Sequence, residues 1–274
     1  MKTLYLALIL GYMTGSAQTH RFYYNLAFKK DSTQAESSTA LMVLDINPND
    51  VKFYDHVFLE KEQENIRTGN RNINWTKQVP VTRKKNASKN TNYAMVEFQL
   101  YSYLTEDPVT WTLQNETRTY GIFNVQKATA DFGGRHWTAW FTREIPFSEG
   151  PYKFRGLPGL IVEIQDNRND YHFTLLKNEK LDNTYDTKNI LEVRYGNAPL
   201  SVKEKTYIEK AKEYFNDPLH RIRESLRNGT SQSYDHNGTR YTRPEELIPL
   251  IRDEQNYILK YNNPIEINKA INYR

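Results

Sequence analysis

Alternation of apolar and polar residues is the dominant pattern in the middle of the chain, and it predicts β-strands. In the run RHWTAWFTR, residues 135–143, the apolar Trp137, Ala139 and Phe141 would lie on one face of a strand. Similar runs occur at residues 18–28, 39–46, 109–114, 120–132, 160–165 and 171–176. Together they predict a meander of antiparallel strands from about residue 20 to 195, with one apolar face.

The turns between these runs are marked by glycine and by polar residues. Gly133-Gly134 is a two-residue hairpin signal, because glycine tolerates the positive φ that such turns require. Residues 82–92, TRKKNASKNTN, are polar and basic, and we interpret them as a solvated loop. The next run, residues 93–101, predicts one continuous strand whose apolar face carries Ala94, Val96, Phe98 and Leu100.

A helical period replaces the alternation after residue 200. Ser201 and Glu204 have the spacing of a capping box, and an apolar stripe follows at residues 207, 208, 211, 214 and 215. The helical part is predicted to extend to about residue 261, interrupted by a polar loop at residues 229–243.

The predicted fold class is therefore α+β and mainly β. A curved antiparallel sheet, forming a half-barrel or open barrel, would be followed by C-terminal helices. The apolar concave face needs a cover, and the helix from Val202 to Phe215 is the expected one. Residues 18–274 would form this single domain.

The first 17 residues have the features of a secretory signal peptide. Lys2 precedes the apolar run LYLALILGYM, and the small residues Gly15, Ser16 and Ala17 follow. We expect cleavage near Ala17 and export to the periplasm or the outer membrane. The chain contains no cysteine, so it would not be a lipoprotein, and disulfides, zinc–thiolate sites and cysteine nucleophiles are excluded.

Charge and composition change this picture little. The net charge of +4 is too small to indicate a nucleic-acid partner. The 20 tyrosines are the unusual feature. Tyrosine favours strands and also builds binding surfaces, and the sheet explains it with fewer assumptions.

The sequence contains no clear catalytic constellation. Asp131, His136 and Thr138 are close together across the predicted hairpin, but no nucleophile elbow accompanies them. The six histidines are scattered without metal-ligand spacing. Glu144 and Glu149 are two carboxylates close together in the sequence, but nothing in the sequence indicates that they face each other. We therefore expect a non-enzymatic protein with no metal and no cofactor, and a hydrolase remains an alternative.

The stretch GPYKFRGLPGLI, from Gly150 to Ile161, is dense in glycine and proline. Proline fixes φ, and glycine permits a positive φ or a close backbone approach. We interpret the stretch as a structural turn that leads the chain into the next strand; a binding loop is the alternative. Its marked residues are Gly150, Pro151, Gly156, Leu157, Pro158, Gly159, Leu160 and Ile161.

Four residues around this turn form a candidate interface: Trp140, Arg143, Tyr152 and Phe154. Exposed aromatic side chains mark binding surfaces, whereas aromatics at strand spacing also pack inside sheets. Ser32, within Asp31-Ser32-Thr33, is a candidate O-glycosylation site because the triplet is similar to the Asp-Ser/Thr-x pattern of bacterial O-glycosylation sites.

The sequence contains an ordered set of short motifs: Lys127-Ala128, Gly134-Arg135, residues 139–142, Ile145-Pro146, Gly150-Pro151, the hexapeptide at residues 156–161, and Asn263-Pro264-Ile265-Glu266. This set resembles the GLPGLI family of exported Bacteroidota proteins. The resemblance implies an accessory protein whose outer-membrane partner would be a TonB-dependent receptor, with no catalytic residues to assign. A carrier of lipid or another small apolar ligand, held in the half-barrel, is the alternative function.

Overall fold

The computed structural model describes residues 18–70, 76, 78–193 and 197–273. The expected signal peptide, residues 1–17, lies outside them. The strands are β1 (Thr19–Phe28), β2 (Ser38–Ile46), β3 (Asp50–Asp55), β4 (Val81–Lys84), β5 (Lys89–Val96), β6 (Gln99–Glu106), β7 (Thr112–Tyr120), β8 (Phe123–Phe132), β9 (Arg135–Thr142), β10 (Leu160–Asp166), β11 (Tyr171–Leu181), β12 (Leu200–Ser201), β13 (Tyr234–His236) and β14 (Thr239–Tyr241). The helices are α1 (Val57–Thr68), α2 (Glu204–Asn216), α3 (His220–Arg227) and α4 (Ile248–Lys260).

Twelve of these strands form one open sheet in the order β12-β6-β5-β4-β3-β2-β1-β11-β10-β9-β8-β7. All neighbours are antiparallel except β12 and β6, which are parallel. The sheet does not close, and α2, α3 and α4 follow it. The predicted α+β, mainly β class is confirmed. The Gly133-Gly134 hairpin is confirmed as well, with φ of 63° and 77° at the two glycines.

The main core lies on one face of this sheet, called the inner face here. Alternate residues of β1 and β9 point into it, including Phe22, Tyr24 and Trp137. The connection between β9 and β10, residues 143–159, inserts Phe154 into the same core. The expected cover by α2 is partial: α2 packs against β5 and β6, where Tyr207 stacks on Tyr103, whereas the β9–β10 connection fills the main core.

The opposite, outer face carries a smaller core. Helix α1 and the helical turn Lys188–Glu192 pack on β1, β2 and β3 there. Under them Arg21 forms a buried ion pair with Asp45, whose carboxylate also accepts a hydrogen bond from Tyr54 at 2.6 Å. The two faces of the central strands are therefore both covered.

The predicted polar loop at residues 82–92 was wrong, because β4 and β5 occupy most of it. The polar composition of β5 does not indicate a buried strand. Its Asn90 and Asn92 can nevertheless be buried, because they donate hydrogen bonds to Asp107 and Thr105. The predicted continuous strand at residues 93–101 was also wrong. The chain turns at Glu97, with φ 53°, and leaves Phe98 exposed.

Two predictions about the C-terminal part were wrong as well. Ser201 belongs to β12, so it cannot cap α2, whose N-cap residue is Lys203. The predicted loop at residues 229–243 contains the hairpin of β13 and β14. No helix in the described part of the chain is long and apolar enough to cross a membrane.

Candidate ligand-binding cleft

A cleft with two chambers separates the inner face of the sheet from the C-terminal part of the chain. The inner chamber encloses about 240 Å³, with Leu26, Met42 and Phe53 of the sheet as its floor. The outer chamber, of about 540 Å³, lies between β5 and helices α2 and α4. Tyr171 and Tyr207 line both chambers, so the two chambers form one cleft.

Tyrosine dominates the walls of the cleft. Nine of the 20 tyrosines line it among the described residues: Tyr93, Tyr103, Tyr152, Tyr171, Tyr207, Tyr214, Tyr257, Tyr261 and Tyr273. Tyr103 and Tyr207 stack with their centroids 4.8 Å apart. Burial raises the pKa of Tyr207 to about 12, so its phenol stays neutral near pH 7. The tyrosine content thus serves the cleft as well as the sheet.

A ring of four charges borders the inner chamber, which Lys153, Glu266 and Lys269 line while Asp107 lies behind them. The Lys153 ammonium lies 2.9 Å from Asp107 and 2.5 Å from Glu266. The Lys269 ammonium contacts the other oxygens of the same two carboxylates, at 2.6 and 2.8 Å. Burial opposes ionisation of Asp107, but Lys153, Lys269 and Thr105 outweigh it and lower the pKa of Asp107 to about 2. Asp107 therefore carries its negative charge near pH 7.

Tyr152 joins this ring from a left-handed backbone conformation. Its φ of 57° is uncommon for a residue with a Cβ and carries a conformational cost. Its hydroxyl donates a hydrogen bond to Glu266 at 2.5 Å, and its ring packs edge-on against Phe53. These contacts hold the β9–β10 connection against the C-terminal tail.

The C-terminal tail, residues 262–273, closes the cleft and is held by Arg135. The Arg135 guanidinium, buried beside the Gly133-Gly134 turn, donates to Asp166 and Asp170 at 2.8 Å each. It also donates to the Asn263 side chain at 2.7 Å and to the carbonyls of Pro264 and Ile265 at 3.0 Å. Both Gly134-Arg135 and the Asn263–Glu266 segment stand out as motifs in the sequence, but nothing in the sequence indicates that the two motifs meet.

The backbone of the glycine- and proline-rich turn, residues 150–161, requires glycine at several positions. Gly159 has φ 151°, and a Cβ there would overlap the carbonyl oxygen of Thr142. Leu157, Leu160 and Ile161 are buried in the main core on either side of this close approach. Gly156 also has positive φ, while a Cβ on Gly150 would meet the side chain of Ile161. The turn sets how the chain enters β10.

The four candidate interface residues do not share a surface. Phe154 is 0% exposed and packs on Trp137, with the ring centroids 4.6 Å apart. Tyr152 faces the cleft. Trp140 is partly exposed beside Arg118, and Arg143 is exposed. Phe154 therefore cannot contribute to an exposed patch, because the connection that carries it folds into the core.

The remaining candidates lie away from the cleft. The exposed His136 and Asp131 form a pair at 2.8 Å, and neither lines the cleft. Glu149 pairs with Arg83, and Glu144 accepts a hydrogen bond from the Asn124 amide. Ser32 is exposed in a turn. The described residues contain no group of three or more His, Cys, Asp or Glu that could hold a metal ion.

The comparisons with known proteins give one family of unknown function and two solved structures of similar fold. Residues 134–163 match a family described as "protein of unknown function (Porph_ging)". The segment contains the hexapeptide, and the GLPGLI resemblance itself stays a prediction. No curated protein matches the chain.

Two solved structures of PNGF-II, in space groups C2 and P21, are similar in fold, each with a TM-score of 0.53 at 13% identity. They cover 71% and 70% of this chain, which spans about a third of theirs, 33% in both cases. At this identity the likeness concerns the fold alone.

Proposed function

We propose that the protein is an exported, non-enzymatic binding protein that holds a small, largely apolar ligand in the cleft. The observation that carries this proposal is the two-chambered, tyrosine-lined cleft on the inner face of the sheet. The apparent signal peptide at residues 1–17 supports the exported location.

The size and lining of the cleft support binding. Pockets for small organic ligands measure roughly 300–1,000 Å³ and are mostly apolar, with a few placed polar groups. Here Leu26, Met42 and Phe53 provide an apolar floor, and the ring of charges provides a polar wall. Tyrosine suits such walls because its ring is apolar and its hydroxyl can hydrogen-bond.

The bonding of the charged groups favours binding over catalysis. Lys153 is almost completely buried and is held by Asp107, Glu266 and Thr105. A general acid or base must reach the substrate proton and change its protonation state during turnover. A lysine enclosed by two carboxylates is poorly suited to either task.

The test is native mass spectrometry of protein purified gently from its own periplasm or outer membrane. We expect the wild-type protein to carry a bound small molecule. Ile208→Trp would fill the inner chamber, whose wall Ile208 forms, and should abolish the added mass. Lys212→Trp, on the exposed side of α2, is the matched control and should keep it. A wild-type protein that is consistently free of ligand would contradict the proposal.

A second proposal retains an outer-membrane partner, with a TonB-dependent receptor as the expected one. The specific observation is Ile122, which is 86% exposed at the turn between β7 and β8. Ile122 lies in a surface turn on a rigid hairpin, and loops carried by a rigid scaffold are frequent sites of binding. A pull-down from solubilised outer membranes, with a tag after Arg274, should recover one stoichiometric partner, and Ile122→Asp should lose it. A clean protein without partners would remove this proposal.

A further inference from the structure

The cationic groups of the inner chamber are already engaged by carboxylates. An ammonium has three N–H donors, and those of Lys153 are directed at Thr105, Asp107 and Glu266 at 3.3, 2.9 and 2.5 Å. Lys269 contacts Asp107 and Glu266, with Glu204 as its third neighbour at 3.7 Å. An anionic head group that approached Lys269 would therefore also approach three carboxylates.

Carboxylates outnumber ammoniums in the charge cluster at this wall. Glu204 and Glu266 line the chamber with Lys153 and Lys269. The buried Asp107 lies behind the two ammoniums and contacts both of them. The Glu204 side chain is 36% exposed and lines the chamber. Its distance of 3.7 Å from Lys269 exceeds that of a hydrogen bond. Glu204 thus keeps acceptor capacity for a ligand.

The aromatic walls of the chamber also favour a cationic ligand. Tyr103, Tyr207 and Tyr273 line the inner chamber with Glu204. The face of a tyrosine ring carries negative electrostatic potential and attracts cations within about 6 Å. Residues of α2 and of the C-terminal tail form part of the same wall, so a cation bound there would contact the rings directly.

From these contacts we infer that the ligand of the cleft carries an ammonium group on an apolar body. The apolar body lies on Leu26, Met42 and Phe53, and the ammonium group lies between Glu204 and the tyrosine rings. This inference rests on the proposed binding function and specifies its ligand class.

One feature of the chamber opposes this assignment. Glu204 is the first residue of α2, and a helix N-terminus carries partial positive charge that favours anions. A full carboxylate charge is larger than the partial charge of about one half at the helix end. The net effect on a ligand should therefore remain attractive for cations, and the experiment must include an anion to test this balance.

The test is calorimetric titration of the full-length mature protein at pH 7 with octylammonium, octanoate and octanol, which share one alkyl chain. We expect octylammonium to bind about tenfold more tightly than octanol, a difference of about 1.4 kcal/mol, because its ammonium can make a charge-assisted hydrogen bond that the octanol hydroxyl cannot. Glu204→Gln should remove this preference and leave octanol affinity unchanged. Glu209→Gln, on the exposed side of the same helix, should change neither affinity.

The outcomes separate this inference from the proposed function. Equal binding of the three probes would overturn the ammonium inference and support an apolar cleft. Tighter binding of octanoate would overturn it in favour of the α2 N-terminus. If no probe bound and native protein carried no ligand, both the inference and the proposed function would fail.

Discussion

Lys153 of the β9–β10 connection lies 2.5 Å from Glu266 of the C-terminal tail, although the two residues are separated by 113 positions in the sequence. Their side chains are 2% and 7% exposed. This ion pair joins the element that fills the main core to the element that closes the cleft. Stability and ligand access are therefore expected to depend on the same few side chains.

Lys153→Met should destabilise the protein strongly. The substitution leaves Asp107 and Glu266 with one ammonium between them in a buried site. Removal of one partner of a buried ion pair costs about 3–5 kcal/mol. Urea unfolding followed by tryptophan fluorescence measures the loss. Lys210→Met, which breaks an exposed pair with Glu213, is the control and should leave the midpoint unchanged. Equal midpoints for the two variants would contradict the role of the ring.

Gly159→Ala should be more disruptive than the same change at Gly121. A Cβ on Gly159 overlaps the Thr142 carbonyl, so the entry into β10 must shift, at a cost of about 3 kcal/mol or more. Gly121 also has positive φ, but no atom lies within 4 Å of its Cβ position. Gly121→Ala should cost only about 1–2 kcal/mol. Thermal unfolding of both variants tests the difference, and similar losses would refute the close approach.

Acid should weaken the protein through Asp107. Its pKa is lowered from 3.8 to about 2 in the folded protein. A depressed carboxyl pKa contributes stability that is fully present above the unfolded value and is lost as the pH falls through the folded value. This contribution to stability should therefore be lost as the pH is lowered from about 4 to about 2. Unfolding free energies of wild type and Asp107→Asn across this range measure it.

Asp107→Asn should flatten the pH dependence over this range, because the substituted side chain no longer titrates. The exposed Asp182→Asn variant is the control and should retain the wild-type slope. A wild-type slope in Asp107→Asn would show that another group controls acid sensitivity.

Arg135→Lys should loosen the C-terminal tail. Lysine cannot reproduce the planar set of donors that reaches two aspartates, Asn263 and two carbonyls. We expect a loss of about 2 kcal/mol of local stability and faster amide hydrogen exchange in residues 262–273. Arg240→Lys, in an exposed pair with Asp235, should leave exchange in the tail unchanged. Unaltered exchange in Arg135→Lys would argue against the clamp.

Several elements were accessible from local pattern alone. The alternation of Trp137, Ala139 and Phe141 predicted a strand with one buried face, and the structure confirms it. The Gly133-Gly134 hairpin was predicted from the backbone freedom of glycine. Both succeed because the periodicity of a strand and the chemistry of a tight turn are local properties. Local reasoning failed at residues 82–92, where buried asparagines satisfy their hydrogen bonds inside a polar strand pair.

The sequence by itself determined the mainly β class, the order of most strands along the chain and the presence of C-terminal helices. Only the tertiary structure decided that Phe154 belongs to the core, that nine tyrosines line one cleft, and that Lys153 meets Asp107 and Glu266. The physical reason is that periodicity records which face of an element is buried. It does not record which distant elements meet, because those contacts depend on the sheet order and on the path of the β9–β10 connection.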